Sequence, residues 1–164
     1  MATLEEMTIA PGTLIRASDL VSVATAVPVD LRAGKGPRAL VAIHSITCPE
    51  CRRYVRERVA SAAREIAEWG GRLTVVVPDG RANAATFAET TTDALEIVRA
   101  EKDAFGSGHA ALIVTDEWGE VHFVADAGAG HELPPAEELV AWVKFLAIQC
   151  PECEGPEGEW RDVR

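Results

Sequence analysis

Cys48-Pro49-Glu50-Cys51 stands between an apolar run, Ala39-Leu40-Val41-Ala42-Ile43, and a long helical pattern that opens at Pro49. A Cys-x-x-Cys pair at such a strand-to-helix junction lies where thiol–disulfide chemistry is easiest. A helix N-terminus carries partial positive charge and unpaired N–H groups, and both favour a thiolate. The tetrapeptide recurs as Cys150-Pro151-Glu152-Cys153, so all four cysteines fall into two identical pairs.

The 164 residues suit one compact domain with a substantial core. A net charge of −10 excludes nucleic-acid binding through a basic face. Acid is concentrated around the second pair, where Glu152, Glu154, Glu157, Glu159 and Asp162 lie. No apolar run approaches the roughly 20 residues of a membrane helix, so no membrane partner is expected. The opening Met1-Ala2-Thr3-Leu4-Glu5-Glu6 is acidic and lacks a leader-like apolar stretch, which makes the cytoplasm the expected compartment. Cysteines are normally reduced there, and a Cys-x-x-Cys reads as redox or metal chemistry.

Residues 1–26 are weakly patterned, residues 1–149 read as the domain, and residues 150–164 read as an acidic, disordered tail. Val27 to Leu31 alternates like a short strand and ends at Gly34-Lys35-Gly36-Pro37. Arg38 to His44 reads as a buried strand. From Pro49 to Trp69 a helix is expected, with Val55, Val59, Ala62, Ile66 and Trp69 on one apolar stripe. Extending that stripe back by four residues reaches Cys51 rather than Cys48. The first cysteine is therefore expected to face solvent and the second to lie beneath it.

Leu73 to Val77 reads as a second buried strand, closed by Pro78-Asp79-Gly80, and Arg81 to Thr91 as a helix. Leu95 to Arg99 reads as a short strand, with a helical turn at Lys102 to Phe105. Ala111 to Thr115 and Glu120 to Val124 read as a hairpin around Asp116-Glu117-Trp118-Gly119. Pro134-Pro135 starts a last helix, with Glu137 and Glu138 in its first turn and Leu139, Val143 and Leu146 on its apolar face.

This order, carried by Val27 to Leu31, Leu40 to Cys51 and the Val114 to Val121 hairpin, resembles the thioredoxin-like superfamily. Within it the chain is most similar to the redoxin branch related to alkyl hydroperoxide reductase and the thiol-specific antioxidant proteins. The resemblance spans roughly Pro28 to Ala147. It implies an α/β, thioredoxin-like fold with a central mixed sheet of about five strands flanked by helices on both faces. It also implies a thiol–disulfide oxidoreductase acting on protein or small-molecule thiols and disulfides and recycled by a cellular reductant. Cys48 would attack as the thiolate and Cys51 would resolve the mixed disulfide.

Pro49 suits the first helical turn. Glu50 opposes a thiolate, whereas Arg52 and Arg53 favour it. The chain departs from the family in two places. His109-Ala110-Ala111 occupies the site where thioredoxin-like proteins usually carry a cis-proline. Peroxiredoxins carry a proline seven residues before the reactive cysteine and Thr or Ser three before it; Val41 fails the first requirement and Ser45 meets the second. Those positions rank a thiol-dependent peroxidase behind a disulfide exchanger.

The rival reading is metal: a zinc ion or iron–sulfur cluster held by Cys48, Cys51, Cys150 and Cys153. Ninety-eight residues separate the pairs, so the four ligands are more readily gathered from two chains, as in a homodimer. Cys150 and Cys153 alternatively form a second redox pair or a structural disulfide, and are expected far from Cys48. His44 can tune Cys48 from the preceding strand, and His109 stands near the usual proline site. His122 and His131 read as surface residues, and Trp69, Trp118 and Trp142 as packing groups.

Overall fold

The computed structural model describes residues 9–15, 20–78, 80–91, 95–100, 109–128 and 132–149. Its strands are β1 (Leu20–Ser22), β2 (Arg38–Ala42), β3 (Arg72–Val77), β4 (Glu96–Ala100), β5 (Ala111–Thr115) and β6 (Val121–Asp126). They form one sheet in the order β1-β4-β3-β2-β5-β6. β2, β3 and β4 run parallel, while β1, β5 and β6 pair antiparallel to their neighbours. The sheet thus has six strands rather than five. The extra strand, β1, is three residues at the edge, too short to carry a periodic signal.

β2 is buried at every position, and its alternate side chains serve two separate cores. Ala39, Val41 and Ile43 join Val75, Val77, Leu112 and Val114 beneath the helices α1 (Pro49–Tyr54), α2 (Ala60–Glu68), α3 (Arg81–Glu89) and α4 (Glu137–Ile148). Leu40, Ala42, Val76 and Ile113 face the other way, against Ile15, Leu20, Val29 and Leu31. The N-terminal segment covers this second face. Its Leu14 bridges Glu120 beside β6, and Leu20 to Ser22 pair with β4 at the opposite edge.

α1 and α2 are joined without a break by a π-turn, Val55–Val59, closed by the Ala60 N–H bond to the Val55 carbonyl. Cys51, Val55 and Val59 recur every four residues, which drifts off the face of a regular 3.6-residue helix. The wider turn keeps all three buried, at 2%, 1% and 0% exposure. Trp69 departs from the expected stripe and is 41% exposed. The helix has already unwound there, and Gly70 at φ +74 turns the chain so that the Gly70 and Gly71 amides bond Ala67 and Ile66.

Val27 to Leu31 does not form the expected strand. Pro28 supplies a single bridge to Val21, and the Asp30 side chain accepts the Arg32 amide to start a 3-10 turn, Leu31–Gly34. The other described elements follow the sequence within about three residues. The expected turn at Lys102 to Phe105, His131 and the 150–164 tail lie outside the described residues.

Candidate functional site

β2 ends at Ala42, and residues 43–48 carry the chain to α1, so the dithiol lies off the carboxyl edge of a central strand. Ser45 and Thr47 shape that passage. Their hydroxyls lie 2.8 Å apart, the Thr47 amide donates to Ser45 Oγ at 3.1 Å, and the Cys48 amide reaches the Ser45 carbonyl at 3.4 Å. Ser45 is thereby a loop-shaping residue. Cys48 is the N-cap of α1, extended at φ −69 and ψ 117, with Pro49 in the first turn. Its carbonyl accepts the first helical bond from the Arg52 amide at 3.1 Å.

The expected exposure of Cys48 is corrected. It is 9% exposed against 2% for Cys51: the order holds, but the leading sulfur is largely covered. Its side chain folds into the helix-side core, as small apolar thiols do, instead of projecting from the tip. From there Cys48 Sγ donates to Glu50 Oε2 at 3.3 Å.

Cys51 Sγ lies 3.2 Å from His44 Nδ1, and these two atoms and Cys48 Sγ all fall within 4.8 Å of one another. Both cysteines are free thiols. Burial pushes the Cys51 thiol up to about 11, opposed by the His44 backbone amide and reinforced by the hydrogen bond and charge of Cys48. Cys51 is therefore a protonated thiol at neutral pH, touching an imidazole nitrogen. His44 serves the second cysteine, not the first.

A cleft of about 470 Å³ opens beside this pair, lined by Glu50, Cys51, Arg53, Tyr54, Ala110 and Leu133 among others. Arg53, rather than Arg52, borders it. Tyr54 closes one side by donating to the Pro134 carbonyl at 2.7 Å, and burial, then the charge of Glu137, pushes its phenol up to about 12. Ala110, within the His109-Ala110-Ala111 stretch where thioredoxin-like proteins usually carry a cis-proline, lines this cleft together with Cys51. His109 instead pairs with Asp126 at 3.2 Å across β5 and β6. His122 bonds Asp116, whose other oxygen accepts the Trp118 and Glu120 amides of the hairpin turn. Trp142 is a packing group, stacked on Phe123.

The second pair, Cys150 and Cys153, lies outside the described residues. Gln149 shares a cleft with Gly36, Pro37, Trp69 and Trp118 ahead of β2.

No protein-family model and no curated protein matches the sequence. Solved structures do. A peroxiredoxin-like protein from Aquifex aeolicus superimposes with a TM-score of 0.67 at 18% identity, over 85% of this chain and 88% of that one. Peroxidoxin BcpB from Mycobacterium tuberculosis gives 0.65 at 19%, over 85% and 98%. The fold is thioredoxin-like, in the form peroxiredoxins have. Reduced Prx3 from Vibrio vulnificus, in complex with hydrogen peroxide, shares this thioredoxin-like fold with a TM-score of 0.64 at 18%, over 83% and 99%.

Two features of the site were missed from sequence: the His44–Cys51 contact and the Tyr54 clasp. His44 carried a signal, being a polar residue at the end of an apolar strand seven residues before Cys51. Tyr54 carried none, because its partner is a backbone carbonyl 80 residues away.

Proposed function

We propose that this chain is a thiol-dependent peroxidase, with Cys48 as the peroxide-reactive sulfur and Cys51 as the resolving thiol. The observation that carries the reading is the burial of Cys48 beside a second buried thiol. A protein disulfide must present its S–S bond in line with the attacking sulfur, which 9% exposure resists, whereas a hydroperoxide needs only a narrow approach. The likeness to peroxiredoxins, one of them holding hydrogen peroxide, supports the same choice over general disulfide exchange.

In the first step the Cys48 thiolate attacks the outer oxygen of the hydroperoxide. The O–O bond breaks, the alcohol leaves with a proton, and Cys48 becomes a sulfenic acid. Glu50 Oε2, which accepts the Cys48 proton, receives it beforehand and returns it to the departing alkoxide. In the second step His44 Nδ1 takes the proton of Cys51, the Cys51 sulfur attacks Cys48, and hydroxide leaves as water with that proton. A thiol reductant, of the kind a cytoplasmic compartment supplies, then reduces the Cys48–Cys51 disulfide.

Peroxide consumption by the reduced chain tests this. Cys48→Ser is expected to abolish turnover, and Cys51→Ser to retain one fast equivalent that stops at the sulfenic acid. Reduction of insulin disulfides without peroxide consumption would favour the second reading, disulfide exchange. That reading draws on the Cys-x-x-Cys spacing and on the cleft that reaches Cys51.

A further inference from the structure

We propose that His44, Cys48 and Cys51 together form a binding site for a thiophilic cation, zinc above all, which peroxide discharges by oxidising two of its ligands. The imidazole Nδ1 and the two Sγ atoms lie within 4.8 Å of one another, with 3.2 Å between Nδ1 and Cys51 Sγ. Bonds of about 2.3 Å to sulfur and 2.0 Å to nitrogen around a tetrahedral ion set neighbouring ligand atoms about 3.5–3.8 Å apart. Adjustments of at most about 1.3 Å between ligand atoms therefore seat the ion. All three ligands come from one short junction, the end of β2 and the first turn of α1, so little chain is ordered on binding.

Two thiolates and an imidazole form a soft set that selects zinc over magnesium or calcium. Three protein ligands leave a fourth position, and the cleft that Cys51 lines gives a water or small ligand access to it. The one other metal-capable cluster among the described residues, Asp116, Glu120 and His122, has no sulfur, and Asp116 already accepts three bonds of its own hairpin.

Binding stands apart from the peroxidase reading, whereas discharge rests on it. Two thiolates, one hydroperoxide and two protons give the Cys48–Cys51 disulfide, an alcohol and water. The sulfurs supply both electrons, and with both engaged in the S–S bond the cation loses two of its three ligands.

The test uses the full chain carrying Cys150→Ser and Cys153→Ser, reduced, with Zn²⁺ followed by native mass spectrometry and chelator competition, and Co²⁺ by its thiolate charge-transfer absorption. One ion per chain is expected, and one equivalent of hydrogen peroxide should release it as the disulfide forms. His44→Ala should weaken Zn²⁺ by more than the roughly 100-fold at which loss of a supporting outer contact tops out, with the circular dichroism spectrum unchanged. Cys48→Ser and Cys51→Ser should each diminish the Co²⁺ charge-transfer band. Absence of stoichiometric Zn²⁺, or His44→Ala binding it as tightly, overturns the site whatever the peroxidase assay shows. Zinc bound through these residues in a chain inert to peroxide would keep the site and remove its discharge together with the peroxidase reading.

Discussion

At the scale of single residues, two sulfurs of one motif are set apart by their surroundings. Cys48 stands at the N-cap of a helix and meets a carboxylate, whereas Cys51 is buried beneath it against an imidazole, at the wall of the cleft. Burial, which holds the Cys51 thiol near 11, leaves it a poor nucleophile until His44 removes its proton. His44→Ala is accordingly expected to slow disulfide formation at least about 100-fold, the lower end of general-base effects, while leaving the sulfenic acid step nearly unchanged. Rapid-mixing kinetics with a sulfenic acid trap separate the two. His44→Gln, which keeps a hydrogen bond without a titrating base, should behave like the alanine variant.

Tyr54 makes a second prediction. Its phenol is raised to about 12 in the folded chain against an ordinary 10, so folding favours the neutral form. The resulting stability is complete below pH 10 and disappears as pH rises through about 12. Tyr54→Phe should cost about 1 kcal/mol near neutrality, from the lost bond to Pro134, and should flatten the alkaline fall in melting temperature.

Among the elements, the π-turn and the glycine pair after α2 decide where the dithiol sits. The turn at Val55–Val59 lets Cys51 share a buried line with Val55, Val59 and Ile66. That line was legible in the spacing of Val55, Val59 and Ala62, and so was the burial of Cys51. The π-turn was not, because a widened turn differs from a regular helix by one hydrogen bond and no residue type demands it. Gly71 is where α2 meets α4: a Cβ there would lie 2.8 Å from Val143 Cγ1 and 3.0 Å from Ile66 Cγ2. Gly71→Ala is expected to destabilise the fold by about 1–3 kcal/mol, readable in urea denaturation midpoints.

The whole molecule is a sheet with two unlike faces, one under four helices and the other under an N-terminal segment that spans from one edge to the other. The parallel core strands and the hairpin were legible, since their continuous or alternating apolar runs report burial directly. The N-terminal cover was not. Its contacts are single anchors, Ile15, Leu20, Val29 and Leu31, scattered along an irregular path without a period. The same limit explains why the coverage of Cys48 went unseen: helical spacing places a residue on a face but does not say which way an N-cap side chain turns. Truncation through residue 15 should remove Ile15 and the pairing beside β6, exposing apolar surface that a hydrophobic dye would bind.

The claim on which these arguments converge is that a small oxidant reaches Cys48 and drives it onto Cys51. Peptide mapping of the reduced full-length chain after one equivalent of hydrogen peroxide, quenched over a time course, addresses it most directly. The account expects a Cys48–Cys51 bond as the first disulfide, absent in Cys48→Ser and replaced by a trapped Cys48 sulfenic acid in Cys51→Ser. Free Cys48 and Cys51 thiols after the peroxide has been consumed, or a first disulfide that leaves Cys48 out, would contradict it.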